Sequence, residues 1–228
     1  MAVTVLTENF NYPDGPLVGA ADSPWVTHSG TPNQVNVASG AAQLVSSESE
    51  DVSAPIAPAG FFYNSGTLTA TFDATFSVLP NATGAYFAHF KDGSTGFRSR
   101  VFATTSGADT GFRLGISDVT NAVASAVFIP TDLSLNTTYL LTLSLDVSTG
   151  RSSLTVAGAG SVTANDLTGT PPALTPINAS AFALRQGGTL GTIAVDNISV
   201  DASAAAVPES STALLLVLAG LGLMRRRR

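Results

Sequence analysis

The chain has no cysteine, a single tryptophan and few charged residues, which make up 11% of its 228 positions. Without cysteine there is no disulfide and no thiolate nucleophile, and a zinc site loses its commonest ligand. With so little charge, solubility must rest on Ser, Thr, Asn and Gly, a composition typical of extracellular β-proteins. Stability must come from an apolar core, which a chain of this length can bury.

Basic residues are scarce before the C-terminus. Four of the ten are Arg225–Arg228, so the first 224 residues carry six basic against sixteen acidic residues, a net charge of −10. Only Arg98 and Arg100 lie close together in that stretch. Phosphate binding needs clustered Lys and Arg, and we therefore expect no nucleic-acid partner.

No segment before Ala213 shows a sustained helical period, whereas alternation of apolar and polar residues is frequent. It runs through 67–78, recurs over 139–147, and returns over 152–157 after a turn at 146–150. This period of two indicates half-buried strands of an antiparallel sheet. Shorter candidate strands cover 41–46, 85–91, 97–104, 111–117, 122–129, 181–185 and 192–200. Ten or so strands predict an all-β chain that forms a single antiparallel β-sandwich.

Several of these segments resemble concanavalin A-like or related jelly-roll modules. Residues 8–12 and 193–200 look like the first and last strands of such modules. Between them, similar stretches occur at 86–90, 97–101, 112–116, 135–140 and 181–187. The resemblance covers about residues 4–201 and implies a sandwich domain over 1–201 with a lectin-like ancestry. It does not define a function, because one fold serves many.

The C-terminus combines a polar turn, a short apolar run and a block of arginines. The turn is Val207, Pro208, Glu209 and Ser210, and the run extends from Ala213 to Met224 with Leu214, Leu215, Leu216, Val217, Leu218 and Leu221. We predict a linker and anchoring segment over 202–228, with a short membrane helix at 212–224. Arg225, Arg226, Arg227 and Arg228 form a tail that the positive-inside rule holds on the cytoplasmic side. The run alone spans ~18 Å of a ~30 Å hydrocarbon core, so a buried core helix is the alternative.

This order of features resembles the PEP-CTERM sorting signal of Gram-negative bacteria, with Ser210 where the family usually has a second proline. The resemblance implies export, transient membrane insertion, and recognition at Pro208–Glu209 by an exosortase, a membrane-bound transpeptidase. Residues 1–5 have no basic n-region and no apolar h-region, so they are not a signal peptide. We expect a leader upstream of this chain; the alternative is an accidental match of the tail.

Oxygen-bearing side chains near the two ends of the sandwich suggest a calcium site. Pairing of the first and last strands would bring Glu8 near Asp196 and Asn197, with Asp14 a further candidate. Calcium takes six to eight oxygen ligands, which carboxylates, amides and carbonyls supply. The alternative is that Asp196 and Asn197 shape a bulge or cap a strand end.

Trp25 is the candidate for sugar binding, because an aromatic ring on a loop can stack on a sugar. Trp25 follows the first strand, and we favour the alternative that its ring fills the edge of the sandwich. His28 and His89 are far apart in sequence, and the strand pattern around His89 favours a structural position over a ligand role.

Motifs of hydrolysis are missing. The chain has no Gly-x-Ser-x-Gly and no Glu-x-Asp-x-x-Glu, the strand that marks concanavalin A-like glucanases. The acidic group at 48–51 does not match and is interpreted as a solvated loop. We therefore expect a non-enzymatic exported surface or extracellular-matrix protein associated with exopolysaccharide. The alternatives are a calcium-dependent carbohydrate-binding module and a polysaccharide hydrolase with an unrecognised site.

Overall fold

The computed structural model describes residues 1–167 and 177–208, and within those ranges the chain is all-β. Its strands are β1 Val3–Glu8, β2 Gly15–Pro16, β3 Val26–Ser29, β4 Asn36–Ala38, β5 Ala41–Val45, β6 Asp51–Pro55, β7 Phe61–Phe62, β8 Thr67–Val78, β9 Ala85–Lys91, β10 Phe97–Thr104, β11 Arg113–Ser117, β12 Val127–Phe128, β13 Thr138–Asp146, β14 Ser152–Val156, β15 Gly160–Thr163, β16 Ala181–Arg185, β17 Thr192–Ala202 and β18 Val207–Pro208.

Two antiparallel sheets pack against each other. In the described part of the chain the larger sheet has nine strands in the order β15-β14-β13-β8-β17-β5-β4-β2, with β1 also paired to β17. The smaller has seven, in the order β12-β11-β10-β9-β16-β6-β3. Phenylalanine rings from the two sheets pack against each other. The ring centroids of Phe72 in β8 and Phe182 in β16 are 5.8 Å apart, and those of Phe76 in β8 and Phe87 in β9 are 5.7 Å apart. The predicted antiparallel sandwich is therefore confirmed.

Strand β8 shows how the sequence pattern produces this core. Leu68, Ala70 and Phe72 are buried, while the threonines between them are half-buried on the opposite surface. β8 pairs with β13 on one side and β17 on the other, so its apolar face lies in the middle of the larger sheet. The predicted pairing of the first and last long strands is also present, with Glu8 opposite Ile198.

One predicted strand is mostly irregular. Of residues 122–129, only Val127–Phe128 form a strand, and Val123–Ser125 form a single 3-10 turn. The N–H of Ala126 is bonded to the carbonyl of Val123 and so closes this turn. Because these backbone groups bond within the turn, the segment pairs with β11 only from Val127 onward.

The interpretation of 48–51 as a solvated loop is wrong for Glu50. Its side chain is fully buried and accepts hydrogen bonds from the N–H groups of Gln34 and Val35, each at 2.7 Å, and from the hydroxyl of Thr27. The carboxylate satisfies backbone donors that would otherwise be buried without partners. Asp51, the next residue, begins β6.

Only the first part of the predicted sorting segment is described. β17 ends at Ala202, and Val207 and Pro208 then pair with Phe62 and Phe61 of β7. Glu209, Ser210, the apolar run and the four arginines lie outside the described residues, as does the predicted helix 212–224. Over the part of the chain that is described, no helix has the length and apolarity needed to cross a bilayer.

Candidate functional site

A group of aromatic, imidazole and guanidinium side chains lies on the outer face of the seven-stranded sheet, away from the core. We call it the outer-face cluster, and it comprises His28 of β3, Tyr86 and His89 of β9, Phe97 and Arg100 of β10, and Arg185 of β16. Four strands that are adjacent or nearly adjacent in the sheet thus contribute to one surface.

Strand alternation places His89 there. Phe90 and Phe182 are paired and face the core, where their rings lie 5.6 Å apart. The preceding pair in β9, His89 opposite Ala183, must therefore face the other side of the sheet. Both residues are fully buried, so the outer face is itself packed at this point.

A bulge in β10 helps to shape the site. Ser99 has a φ of +56°, and the pairing with β9 shifts register between Arg98 and Val101. The hydroxyls of Ser99 and Ser152 are hydrogen-bonded at 2.7 Å, and the Ser99 N–H donates to the carbonyl of Asp118. Such bulges re-aim neighbouring side chains, and here the neighbour is Arg100.

The rings are in close contact around His89. Its ring centroid lies 4.6 Å from Phe97, 5.4 Å from Tyr86 and 6.1 Å from His28. The guanidinium carbon of Arg185 lies 4.6 Å from the centre of Tyr86, and that of Arg100 lies 5.1 Å from it on the same ring. Arg–aromatic stacking holds the planar guanidinium groups in place while leaving their N–H edges for other partners.

Unpaired polar atoms are concentrated at this site. Buried side-chain nitrogen and oxygen atoms without a hydrogen-bond partner, within residues 1–167 and 177–208, are both ring nitrogens of His28 and of His89, Arg100 Nε, Asp51 Oδ1 and Gln186 Nε2. Asp51 flanks the cluster, since it pairs with Arg185 across β6 and β16, whereas the Gln186 side chain accepts from the N–H of Val45 in the larger sheet. Buried polar groups normally have partners, and five of these seven unpaired atoms belong to His28, His89 and Arg100 of the cluster.

Both histidines are held neutral at physiological pH. Burial lowers the pKa of His28 to about 4, with the Lys91 ammonium as a second cause. Burial also lowers the pKa of His89 well below its usual value, and the charges of His28, Arg100, Lys91 and Arg185 add to the effect. A neutral imidazole has one donor and one acceptor nitrogen, so each ring leaves one of each unpaired here.

The one carboxylate that contacts the cluster in the described ranges is Asp51. Burial raises its pKa to about 6, although the Arg185 guanidinium, 3.9 Å away, works in the opposite direction. The nearby Asp92 carboxylate is turned into its own loop, where it accepts from the N–H groups of Ser94 and Gly96.

Glu8 and Trp25, two of the residues singled out in the sequence, meet inside the core. The Glu8 carboxylate accepts hydrogen bonds from the indole N–H of Trp25 at 2.9 Å, from the Tyr12 hydroxyl at 2.8 Å and from the Phe10 N–H at 2.7 Å. Trp25 is only 2% exposed and stacks on Phe10. Its ring is therefore not presented to a sugar, and the alternative role as an edge plug fits its position.

Asp196 and Asn197 lie on the other surface of the same sheet. Asn197 has a φ of +52° at a bulge in β17, and its amide donates to Asp73 at 2.8 Å. The structure thus does not bring Glu8 to Asp196, because Glu8 faces the core. Asp14 accepts from the N–H of Ser39. Among the described residues no group of three or more His, Asp or Glu side chains is arranged to hold a metal ion, and the calcium site stays a prediction.

Sequence analysis missed the outer-face cluster. His28 and His89 are 61 positions apart in a chain with only these two histidines, and each was interpreted separately. The available signal was compositional: Tyr86, His89, Phe97 and Arg100 lie in two consecutive predicted strands. Their meeting with His28 and Arg185 depends on the order β10-β9-β16-β6-β3, in which the last three strands are distant in sequence.

Comparison with known proteins supports the fold. No protein-family model matches the chain, and no curated protein sequence matches it. Solved structures do: a CBM2 module from the evolved Dit of Lactobacillus casei BL23 phage J-1 matches with a TM-score of 0.54 at 12% identity, over 88% of this chain and 95% of that one. Peanut lectin matches with a TM-score of 0.52 at 15% identity, over 91% and 99%. A sialidase matches with a TM-score of 0.52 at 14% identity, over 86% of this chain but only 19% of its own length.

At these identities the likeness establishes the architecture alone. The described chain is an all-β antiparallel sandwich similar to lectins and carbohydrate-binding modules.

Proposed function

We propose that the chain is a carbohydrate-binding protein of the bacterial surface or extracellular matrix, and that it binds polysaccharide on the outer face of its seven-stranded sheet. The observation that carries this proposal is the union of half-buried aromatic rings with guanidinium and imidazole groups in the outer-face cluster. Sugars have apolar ring faces and polar hydroxyl edges, so their recognition needs both kinds of group together.

The edge of the cluster is partly open. Tyr86, Phe97, His28 and Arg185 are half-buried, whereas His89 is fully buried and Arg100 is 8% exposed. The exposed parts of Tyr86 and Phe97 can therefore contact a sugar ring, with the partly exposed Arg185 side chain beside them. The similarity to a carbohydrate-binding module and to peanut lectin, by their names, is in keeping with this role.

A binding role is favoured over hydrolysis by the shortage of carboxylates. Glycoside hydrolysis by the usual routes needs two carboxyl groups flanking the scissile bond. In the ranges that the structure covers, Asp51 is the one carboxylate in contact with the cluster, and Asp92 is engaged within its own loop. The calcium-dependent module and the hydrolase are kept as the alternatives to be tested.

The full chain in mild detergent, applied to a glycan array in calcium and again in chelator, tests this function. We expect binding to polysaccharides that survives chelation and is reduced at least tenfold by Tyr86→Ala. Leu140→Ala is the control, because Leu140 is 48% exposed on the larger sheet and should leave binding unchanged. Binding that persists in Tyr86→Ala would contradict the location of the site. Cleavage of any bound polysaccharide would favour the hydrolase, and loss of binding in chelator would favour the calcium-dependent module.

The proposal includes transport to the envelope by the C-terminal segment, with an exosortase-type enzyme as processing partner and the membrane as transient contact. The basis is the sequence from Val207 to Arg228. Cells that carry an exosortase should yield mature protein without residues 213–228, which intact-mass spectrometry of the envelope fraction detects. A mature C-terminus at Arg228 would exclude processing. Replacing Arg225–Arg228 with serine should loosen retention before cleavage, because the positive-inside anchor is lost.

A further inference from the structure

The cations of the outer-face cluster are poorly neutralised by protein carboxylates. Six basic residues precede the C-terminal arginines. Three of them gather here: Arg100, Arg185, and Lys91, whose charge acts on both histidines. Arg185 lies 3.9 Å from Asp51, Lys91 donates to the carbonyl of Asp92, and Arg100 donates to the carbonyl of Val119.

Two arginines elsewhere in the molecule are paired more closely. Arg113 contacts the Asp132 carboxylate at 2.7 Å, and Arg151 contacts Asp118 at 3.2 Å. Arginine side chains are thus closely paired with carboxylates at two other places, and less closely at the cluster. Burying a charge without a full counter-charge is costly, and Lys91 and Arg100 are only 7% and 8% exposed. An acidic chain therefore concentrates positive charge on one face, and Asp51 near Arg185, Asp92 near Lys91 and Asp166 near Arg100 offset it only partly.

The guanidinium groups are suited to a planar anion. Arg185 and Arg100 both stack on Tyr86, which fixes their planes, and Arg100 Nε has no acceptor in the described part of the chain. A guanidinium presents its N–H groups in a fork that matches the two oxygens of a carboxylate. The Tyr86 ring that holds the arginines is itself half-buried, so part of it is exposed beside the guanidinium groups.

We infer that the ligand is an acidic polysaccharide, whose uronate carboxylates pair with Arg185 and Arg100 while its sugar rings contact Tyr86 and Phe97. This inference rests on the proposed carbohydrate-binding function and names its substrate class. The rest of the chain disfavours a denser polyanion such as nucleic acid, because the first 224 residues have a net charge of −10.

Affinity should increase on mild acidification. A bound carboxylate raises the pKa of nearby histidines, so binding takes up protons. Protonation of Asp51, whose pKa is about 6, removes a competing negative charge. The charged groups that act on His28 and His89 are Lys91, Arg100 and Arg185, while Asp51 lies 3.9 Å from Arg185 and the Tyr86 ring 5.4 Å from that of His89. Lys91, Arg100 and Arg185 stay cationic throughout, so protonation of Asp51 makes the site more positive as pH falls from 7 to 5 and favours an anion.

Calorimetric titration of the full chain in chelator tests the inference, with oligogalacturonate, oligomannuronate and a neutral glucan of equal length as probes. We expect the uronates to bind at least tenfold more tightly than the glucan, and more weakly as salt is raised. Arg185→Gln and Arg100→Gln should each weaken uronate binding at least tenfold. Arg185→Lys should recover part of the loss because it keeps the charge. Arg113→Gln is the matched control, since it removes a cation that Asp132 already neutralises.

The outcomes separate the two proposals. Tyr86-dependent binding of the glucan without preference for uronates would overturn the acidic ligand and leave the carbohydrate site standing. Failure to bind any glycan would overturn both. Uronate binding unaffected by both glutamine variants, with circular dichroism showing them folded, would place the ligand elsewhere and overturn this inference. Equal affinity for dextran sulfate or single-stranded DNA would show a general polyanion surface and overturn the carboxylate assignment.

Discussion

Glu8 and His89 are both buried, at 5% and 0% exposure, yet their polar atoms are bonded in opposite ways. The Glu8 carboxylate accepts three hydrogen bonds from Phe10, Tyr12 and Trp25, and so ties the first strand to the core. Neither ring nitrogen of His89 has a partner in the described ranges. The first arrangement stabilises the fold. The second adds no hydrogen bond to the fold, and the desolvation of its ring nitrogens opposes folding.

Removing the Glu8 carboxylate should have the largest effect on stability. Glu8→Ala leaves the buried N–H of Phe10 and the buried indole N–H of Trp25 without an acceptor and should cost about 2–6 kcal/mol, at about 1–3 kcal/mol for each buried donor. The free energy of unfolding from a urea titration measures this loss. Glu48→Gln is the control, because Glu48 is half-buried outside the strands and should cost less than about 0.5 kcal/mol. Equal losses of unfolding free energy for the two variants would show that the hydrogen bonds to the Glu8 carboxylate do not stabilise the core.

An apolar reference is provided by Leu143, which is fully buried in the middle of β13. Leu143→Ala should cost about 2–5 kcal/mol through lost burial and the resulting cavity. Thr142→Ala on the other face of the strand should cost much less, since Thr142 is half-buried. Similar losses at the two positions would show that both faces of this strand contribute equally to packing.

Acid should destabilise the protein through the cluster. The pKa of His28 is lowered to about 4 and that of His89 lies well below its usual value, against 6.5 for an unfolded chain. Below pH 6.5 the unfolded state takes up protons first, so this contribution to stability is full above pH 6.5 and is lost as pH falls toward 4. After allowance for partial exposure, His28 should account for about 1–2 kcal/mol.

The contribution of Asp51 to the same pH range has the opposite sign. Its pKa is raised to about 6, so its folded form takes up a proton first, and stability increases as pH falls from 6 toward 3.8. Comparing the parent with His28→Gln isolates the histidine, because Asp51 is present in both. The variant should lose less stability between pH 7 and pH 4.5 in urea titrations. Parallel pH profiles would contradict a buried neutral His28.

Replacing His89 should have the smallest effect on stability and a large effect on binding. His89→Leu removes unpaired polar atoms from a fully buried position and leaves an apolar side chain against Phe97 and Tyr86. We expect the free energy of unfolding to change by no more than about 1 kcal/mol in either direction, because no hydrogen bond is broken. Polysaccharide binding should fall at least tenfold in calorimetry. A decrease of several kcal/mol in the free energy of unfolding would show that His89, like Glu8, stabilises the fold.

The long strands were predictable because their information is local. Bounds for 67–78, 85–91, 97–104 and 181–185 agree with β8, β9, β10 and β16. In β8 the alternation reflects one buried face, whereas β9, β10 and β16 are buried on both faces over most of their length. The segment at 122–129 was less predictable, because its apolar residues fit a strand while its backbone closes a 3-10 turn. Glu50 was misjudged because the donors it serves, in residues 27, 34 and 35, are distant in sequence.

The sequence by itself determined the all-β class, the positions of the main strands and the overall acidity of the chain, because periodicity and composition are properties of neighbouring residues. Tertiary structure alone decided which polar residues are structural and which are left unpaired. Glu8 finds Trp25 because the chain returns past the first strand, and His28 meets His89 because β3, β6, β16 and β9 are neighbours in one sheet. Strand order follows from the packing of the whole core, and no local pattern encodes it.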